Sequence, residues 1–267
     1  MPGCLFGYPD ANLAPTATAS FAVGTAATGY PAANMLTLDP GVVAKANETT
    51  ASPRLTFGAP VTPKVLMFIH TNWAGASSVT LSNNGGMTPQ AVTIRESADG
   101  LCECAWVDLR DVANVAATQF TVAVVGADGP VALGVWLAYD EVEEPKTRWQ
   151  YLTGAKLPKV KLTPASGAQD FVFARPTRRR KFRGTWHWAE DRPIWRRLFE
   201  EAYSVTPTPF GFIPDVDDVE CALMQFVDDE FNELHEYFSG KFSDDSQSGI
   251  VEFQVDILEV GAGAPLP

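Results

Sequence analysis

The chain has 267 residues, 46% of them apolar and 19% charged, which is enough apolar material for one large or two modest cores. Its 20 basic and 32 acidic side chains leave a net charge of −12, which argues against the whole molecule coating a nucleic acid or an anionic membrane. The opening residues lack the basic and apolar runs of an export signal, and the uncharged stretch Ala11–Leu38 is too broken by Pro, Gly, Thr and Asn to span a bilayer.

Residues 1–64 are dominated by Gly, Pro, Ala, Thr and Asn, which predicts turns and loops. Within them, Gly7-Tyr-Pro-Asp-Ala-Asn-Leu13 is echoed by Gly29-Tyr-Pro-Ala-Ala-Asn-Met35. Proline fixes φ and pushes its predecessor to an extended conformation, and Asn closes the turn, so one turn chemistry is used twice. Val65–Ile69 is an unbroken apolar run and predicts a strand buried on both faces. Short strands follow at Ser78–Ser82, Ala91–Arg95, Cys104–Leu109, Gln119–Val125 and Val131–Tyr139. Turn signals separate them at Asn83-Asn-Gly-Gly86, Asp99-Gly100 and Asp128-Gly-Pro130, and this regular spacing predicts a β-sandwich over residues 1–145.

Composition shifts after Glu141-Val-Glu-Glu-Pro145, which places a boundary there and a second domain over residues 146–260. Strands are predicted at Asp170–Ala174 and Lys181–Trp188. Asp191-Arg-Pro193 then opens a helix, with Asp as cap and Pro in the first turn. Ile194, Trp195, Leu198, Phe199 and Ala202 share one face of that helix; Arg196, Arg197, Glu200 and Glu201 share the other. Phe210–Asp215 reads as an apolar turn, and Val219–Tyr237 fits helix and strand alike. Ile250–Leu258 alternates as a half-solvated strand, and Gly261–Pro267 is a loose tail. The expected fold class is therefore mainly β, with one amphipathic helix in an α+β second domain.

Charge is segregated along the chain. Residues 1–144 hold 5 basic and 13 acidic side chains, residues 145–198 hold 14 and 3, and residues 199–267 hold 1 and 16. The basic run Arg175–Arg183 admits three readings: a polyanion site, a strand whose cations meet carboxylates of its own fold, or a cationic face that docks on the acidic face of another copy. The third reading pairs Arg175, Arg178, Arg179, Arg180, Lys181 and Arg183 of one copy with Asp215, Asp217, Asp218, Asp228, Asp229, Asp244 and Asp245 of the next.

Signatures of catalysis are missing: no G-x-S-x-G elbow, P-loop or H-E-x-x-H is present. His70, His187 and His235 lie far apart. Cys102-Glu-Cys104 has no second pair of Cys or His to complete a zinc site. No enzyme activity, metal or cofactor is expected. One candidate for sugar binding remains: Trp73, between two predicted strands and flanked by His70 and Asn72. It is either a stacking platform for a pyranose ring or a plug at the open end of the sandwich.

Residues 20–140 resemble the discoidin-like (galactose-binding-like) sandwiches of bacteriophage tail and virion proteins. The features are Gly29-Tyr-Pro-Ala-Ala-Asn-Met-Leu36, Val65–Ile69 followed by His70 and Asn72, Thr80-Leu-Ser82, and the strands Phe120–Val125 and Ala132–Trp136. Residues 150–260 resemble the split-barrel domain of siphophage distal tail proteins: a basic strand, a helix, a turn like Phe212-Ile-Pro-Asp215 and a final strand like Ile250–Leu258. The resemblance implies a virion protein, assembled in the host cytoplasm into a ring, usually hexameric, at the tail tip or baseplate. Its partners would be other copies of itself, tube, tip or fibre proteins, and in the alternative a host-surface glycan. Nucleic acid and membrane are not expected partners. The domain order departs from the family, whose members often carry the barrel first, which leaves open another tail, neck or fibre-attachment role.

Overall fold

A computed structural model describes residues 4–96, 103–145, 148–152, 159–162, 169–172, 181–186, 192–203, 208–217, 221–226 and 253–260. In chain order the strands are β1 (Leu5–Gly7), β2 (Thr18–Phe21), β3 (Ala44–Lys45), β4 (Pro53–Val61), β5 (Val65–Thr71), β6 (Ser78–Asn83), β7 (Gln90–Ala91), β8 (Arg95–Glu96), β9 (Glu103–Asp108), β10 (Ala117–Val125), β11 (Ala132–Tyr139) and β12 (Val142–Glu143). There follow β13 (Arg148–Leu152), β14 (Lys159–Leu162), β15 (Gln169–Val172), β16 (Lys181–Trp186), helix α1 (Arg192–Tyr203), β17 (Phe210–Ile213), β18 (Ala222–Phe226) and β19 (Phe253–Glu259). The fold is mainly β, with a sandwich and, among the described residues, one amphipathic α-helix, as the residue pattern predicts.

Two antiparallel five-stranded sheets form the sandwich, in the orders β2-β4-β10-β6-β7 and β3-β11-β5-β9-β8. Leu55, Phe57, Leu81, Phe120 and Val122 from the first meet Leu66, Phe68, Val107 and Trp136 from the second. Alternation along a strand puts successive side chains on opposite faces. The other faces of β5 and β11 (Val65, Met67, Ile69, Val135, Leu137 and Tyr139) belong to a different core. This is why Val65–Ile69 and Ala132–Tyr139 are apolar on both sides, and why β5 and β11 are buried along their whole lengths.

That second core is supplied by a seven-stranded antiparallel sheet, β12-β1-β17-β18-β19-β16-β13. Strand β1 lies inside it, pairing with β12 and β17. The first residues of the chain are thus built into the sheet of the last hundred. Gly7 and Gly211 let this sheet approach the sandwich. A Cβ on Gly7 would collide with the Tyr139 ring, and one on Gly211 would stand 2.6 Å from Met67 Sδ and 2.9 Å from Leu137 Cδ1. The Gly211 N–H donates to the Tyr139 hydroxyl at 2.8 Å, bonding the two layers directly.

On the far side lies α1. Its Trp195 packs 5.1 Å from the Phe6 ring, and Phe199 stands 5.6 Å from Phe226. Trp195, Leu198, Phe199 and Ala202 are buried, as the 3.6-residue spacing predicts. Sandwich, seven-stranded sheet and helix therefore stack as layers. Strands β14 and β15 form a separate hairpin.

Several elements differ from the sequence expectation. Phe210–Ile213 is a strand and not a turn, because Gly211 abuts the sandwich while Phe210 and Phe212 face the helix side. Ala222–Phe226 is also a strand. The single strand expected at Ala91–Arg95 is two short pieces that belong to different sheets. β4, nine residues long, runs through a region read as loops. Its prolines sit at the first residue and beside the exposed end, where a missing N–H is tolerated. Among the described residues no helix is long and apolar enough to cross a membrane.

Candidate functional site

At one end of the sandwich, β5 and β10 finish while β6, β9 and β11 begin. Their loops surround a cleft of about 510 Å³. Glu96, Glu103 and Asp128 line it, with Asn72, Ala74, Gly75 and Gly129.

Register sets the acidic character. Glu96 of β8 is the direct partner of Glu103 of β9, and like charges so placed repel. Burial pushes the Glu103 carboxyl above its ordinary value. Backbone N–H groups of Ala74 and Trp73 and the Thr71 hydroxyl oppose this by donating to it, and the Glu96 charge adds to the rise. Ala74 N–H donates at 2.9 Å and Thr71 Oγ1 at 3.3 Å. Across the cleft, the Asp128 carboxylate lies so close over Gly75 that a Cβ there would collide with it.

Asn72 fastens the wall. Its Nδ2 donates to the Pro130 carbonyl at 2.9 Å, and its Oδ1 accepts from Ala132 N–H at 2.9 Å. Chemically, the cleft offers carboxylate acceptors, Glu103 held in place by its hydrogen bonds, suited to hydroxyl or ammonium donors. Among the described residues no three or more His, Cys, Asp and Glu are grouped to hold a metal ion.

The three residues singled out for sugar binding fare differently. Asn72 lines the cleft, but its amide is committed to the β10–β11 loop. His70 is buried in a left-handed backbone conformation (φ 62°), its Nδ1 2.6 Å from the Pro40 carbonyl. Trp73 is fully buried, 5.5 Å from the Phe68 ring. It presents no face to a pyranose, so the stacking role is corrected: this indole plugs the sandwich end. The cleft's carboxylates escape a sequence reading, because acidic residues are too common to stand out and only the β8–β9 register brings Glu96 and Glu103 together.

Of the residues assigned to an interface between copies, Asp215 and Asp217 lie in the turn after β17, where Asp217 N–H donates to Asp215 Oδ1 at 2.9 Å. Lys181 and Arg183 lie on β16, between β13 and β19, and register sets Arg183 opposite Asp256. Arg175, Arg178, Arg179, Arg180, Asp218, Asp228, Asp229, Asp244 and Asp245 lie outside the described residues. So does Cys102. Cys104 is buried, and its Sγ accepts from Cys221 N–H at 3.3 Å across the layers.

A further polar cluster joins α1 to the N-terminal segment. The Arg197 guanidinium sits 3.8 Å over the Tyr8 ring. It donates to Glu201 at 2.6 Å and to both oxygens of Glu141, one of them at 2.8 Å, and lies 3.7 Å from Asp10. Burial, reinforced by Asp10 and opposed by Arg197, pushes the Glu201 carboxyl up to about 7. Hydrogen bonds from Arg197 hold Glu141 below its ordinary value.

No family model and no curated protein matches the sequence. Among solved structures, a chitosan-binding module from a chitosanase/glucanase of Paenibacillus sp. IK-5 is 20% identical, covering 48% of this chain and 98% of its own, with a TM-score of 0.36. A family 32 carbohydrate-binding module of C. perfringens in complex with galactose is 12% identical over 51% of this chain and 99% of its own, with a TM-score of 0.38. A fucose-binding module of Streptococcus pneumoniae is 10% identical over 49% and 98%, with a TM-score of 0.39. At TM-scores below 0.5 these likenesses assign neither a family nor a ligand, and the sandwich assignment stands on the strand pairing itself.

Proposed function

We propose that the chain is a non-enzymatic structural protein of a phage tail, assembling head to tail into a ring at the tail tip or baseplate and joining the tube to tip proteins or fibres. The observation that carries this reading is the charge segregation: 14 basic against 3 acidic side chains over residues 145–198, then 1 against 16 over residues 199–267. Complementary faces on one chain attract a second copy and fix its register, and a heterologous contact that closes makes a ring. The architecture suits a load-bearing role, because β1 ties the sandwich's end of the chain into the C-terminal sheet. The test is the triple change Arg178→Glu, Arg179→Glu and Arg180→Glu. Assembly is expected to be lost; normal assembly of the folded variant refutes the interface. Single rim charges contribute too little for a fair test.

A second reading is favoured by the loop-end cleft: a receptor-binding or carbohydrate-binding role in which Glu103, Glu96 and Asp128 accept hydrogen bonds from sugar hydroxyls. It predicts weak, saturable glycan binding, abolished by Glu103→Ala together with Asp128→Ala. Binding unchanged by that pair refutes the cleft as the site.

A further inference from the structure

The seam between α1 and the N-terminal segment has a charge imbalance that its packing does not relieve. From α1, Arg197 and Glu201 face it, while Arg196 and Glu200 pair with each other outward at 2.8 Å. The short turn Pro9–Ala11 contributes Asp10, with Tyr8 before it. The segment leading into β12 contributes Glu141, and β12 itself contributes Glu143. Lys64, ahead of β5, exerts its charge on both. β1 and β18, which also pack here, bring no titratable side chain. Four carboxylates therefore meet two cations.

Arg197 is shared among Asp10, Glu141 and Glu201. One oxygen of Glu201 accepts from Arg197. The other, Oε2, is buried and has no hydrogen-bond partner among the described residues. An ionised oxygen held that way is costly, because it has lost water and gained nothing. A proton on it removes the cost and turns the oxygen into a donor toward a neighbouring side-chain oxygen. Asp10 is that neighbour, and it resists ionisation of Glu201.

We propose that the buried Glu201 carboxyl holds a proton directed at Asp10, and that this proton fastens α1 onto the N-terminal segment, so that mildly acidic conditions tighten the seam and alkaline conditions loosen it. The sign follows from linkage. A carboxyl whose value is raised on folding contributes stability that is fully present below its unfolded value, and that is lost as pH rises through the folded one. Glu141, held low by Arg197, works the other way and only at lower pH. Glu143, raised by burial and by the Glu141 charge, acts in the same direction as Glu201, and a change confined to Glu201 isolates the Glu201 share.

The test is amide exchange of the full-length protein, corrected for intrinsic rates, read at the α1 backbone. Between about pH 5.5 and about pH 8.5, wild-type opening is expected to rise on the order of tenfold or more. Glu201→Gln mimics the protonated form; it is expected to flatten this rise and to protect α1 better than wild type at the alkaline end. An ordinary ion pair between Glu201 and Arg197 predicts the reverse, with Gln weakening the helix most at alkaline pH, and that outcome overturns the proposal. A carboxyl NMR titration of the wild-type protein gives a second reading that does not depend on the variant folding. A Glu201 midpoint near neutrality supports the proposal, and one in the usual carboxylate range overturns it.

Discussion

Tyr139→Phe tests whether the sandwich and the C-terminal sheet are one body. Tyr139 is 1% exposed, and its hydroxyl accepts the Gly211 N–H at 2.8 Å across the layer boundary. Phenylalanine keeps the ring that packs over Gly7 and removes only the oxygen. Gly211 lies within a buried strand, so its N–H is left without an acceptor, at a cost of about 1–3 kcal/mol. For a chain of this length that lowers Tm by about 2–4 °C for each kcal/mol lost. The assay is urea unfolding followed by tryptophan fluorescence and far-UV circular dichroism together. A single coincident transition is expected for wild type, shifted as a whole in the variant. Tyr30→Phe is the control: Tyr30 is 38% exposed, and such surface changes stay within about 0.5 kcal/mol. Two resolved wild-type transitions, or a Tyr139→Phe curve lying on the wild-type curve, refute the shared-layer account.

Trp195→Ala, which empties a fully buried site against Phe6, is expected to destabilise by about 3–5 kcal/mol in the same assay; under about 1 kcal/mol means the helix is not docked as described. Asn72→Ala leaves the Ala132 N–H and the Pro130 carbonyl unpaired, with an expected loss of about 1–3 kcal/mol and faster amide exchange in the loop at 126–131. Asp108 is the acid-side prediction. Burial opposes its charge, but hydrogen bonds and charge from Arg110 outweigh this and hold it below its ordinary value. Its contribution is present above the ordinary carboxylate range and is lost as pH falls through the folded value. Arg110→Gln is therefore expected to cost less than about 1 kcal/mol at neutral pH and nothing in strong acid, and a cost that grows on acidification contradicts the sign.

What the residue pattern reveals, and what it hides, follows from the range of each interaction. The period-2 alternation of the sandwich strands and the helical spacing of Trp195, Leu198, Phe199 and Ala202 are local, and both are legible. The doubly buried run Val65–Ile69 announces a second packing layer, but not which segment supplies it. That layer includes Leu5–Gly7, three residues whose strand partners, Val142–Glu143 on one side and Phe212–Ile213 on the other, lie far along the chain. Pro53 and Pro60, with Gly58 between them, hide a nine-residue strand from a reading by breakers. In the candidate site, Asn72 and Trp73 are visible as unusual residues near a strand end. The burial that makes Trp73 structural is a property of Phe68 and the facing sheet. Arg197 and Glu201, placed by spacing on the polar face of the helix, close a seam with Asp10 and Glu141, a contact that no local pattern reveals.

The most direct test of the proposed role is the solution mass of the purified chain across a salt series. Head-to-tail assembly through opposite charges predicts a ring-sized species at low salt that falls apart as ionic strength rises and the attraction is screened. A monomer at every salt concentration contradicts self-assembly through the charged segments and moves the weight to the cleft as the working part of the molecule.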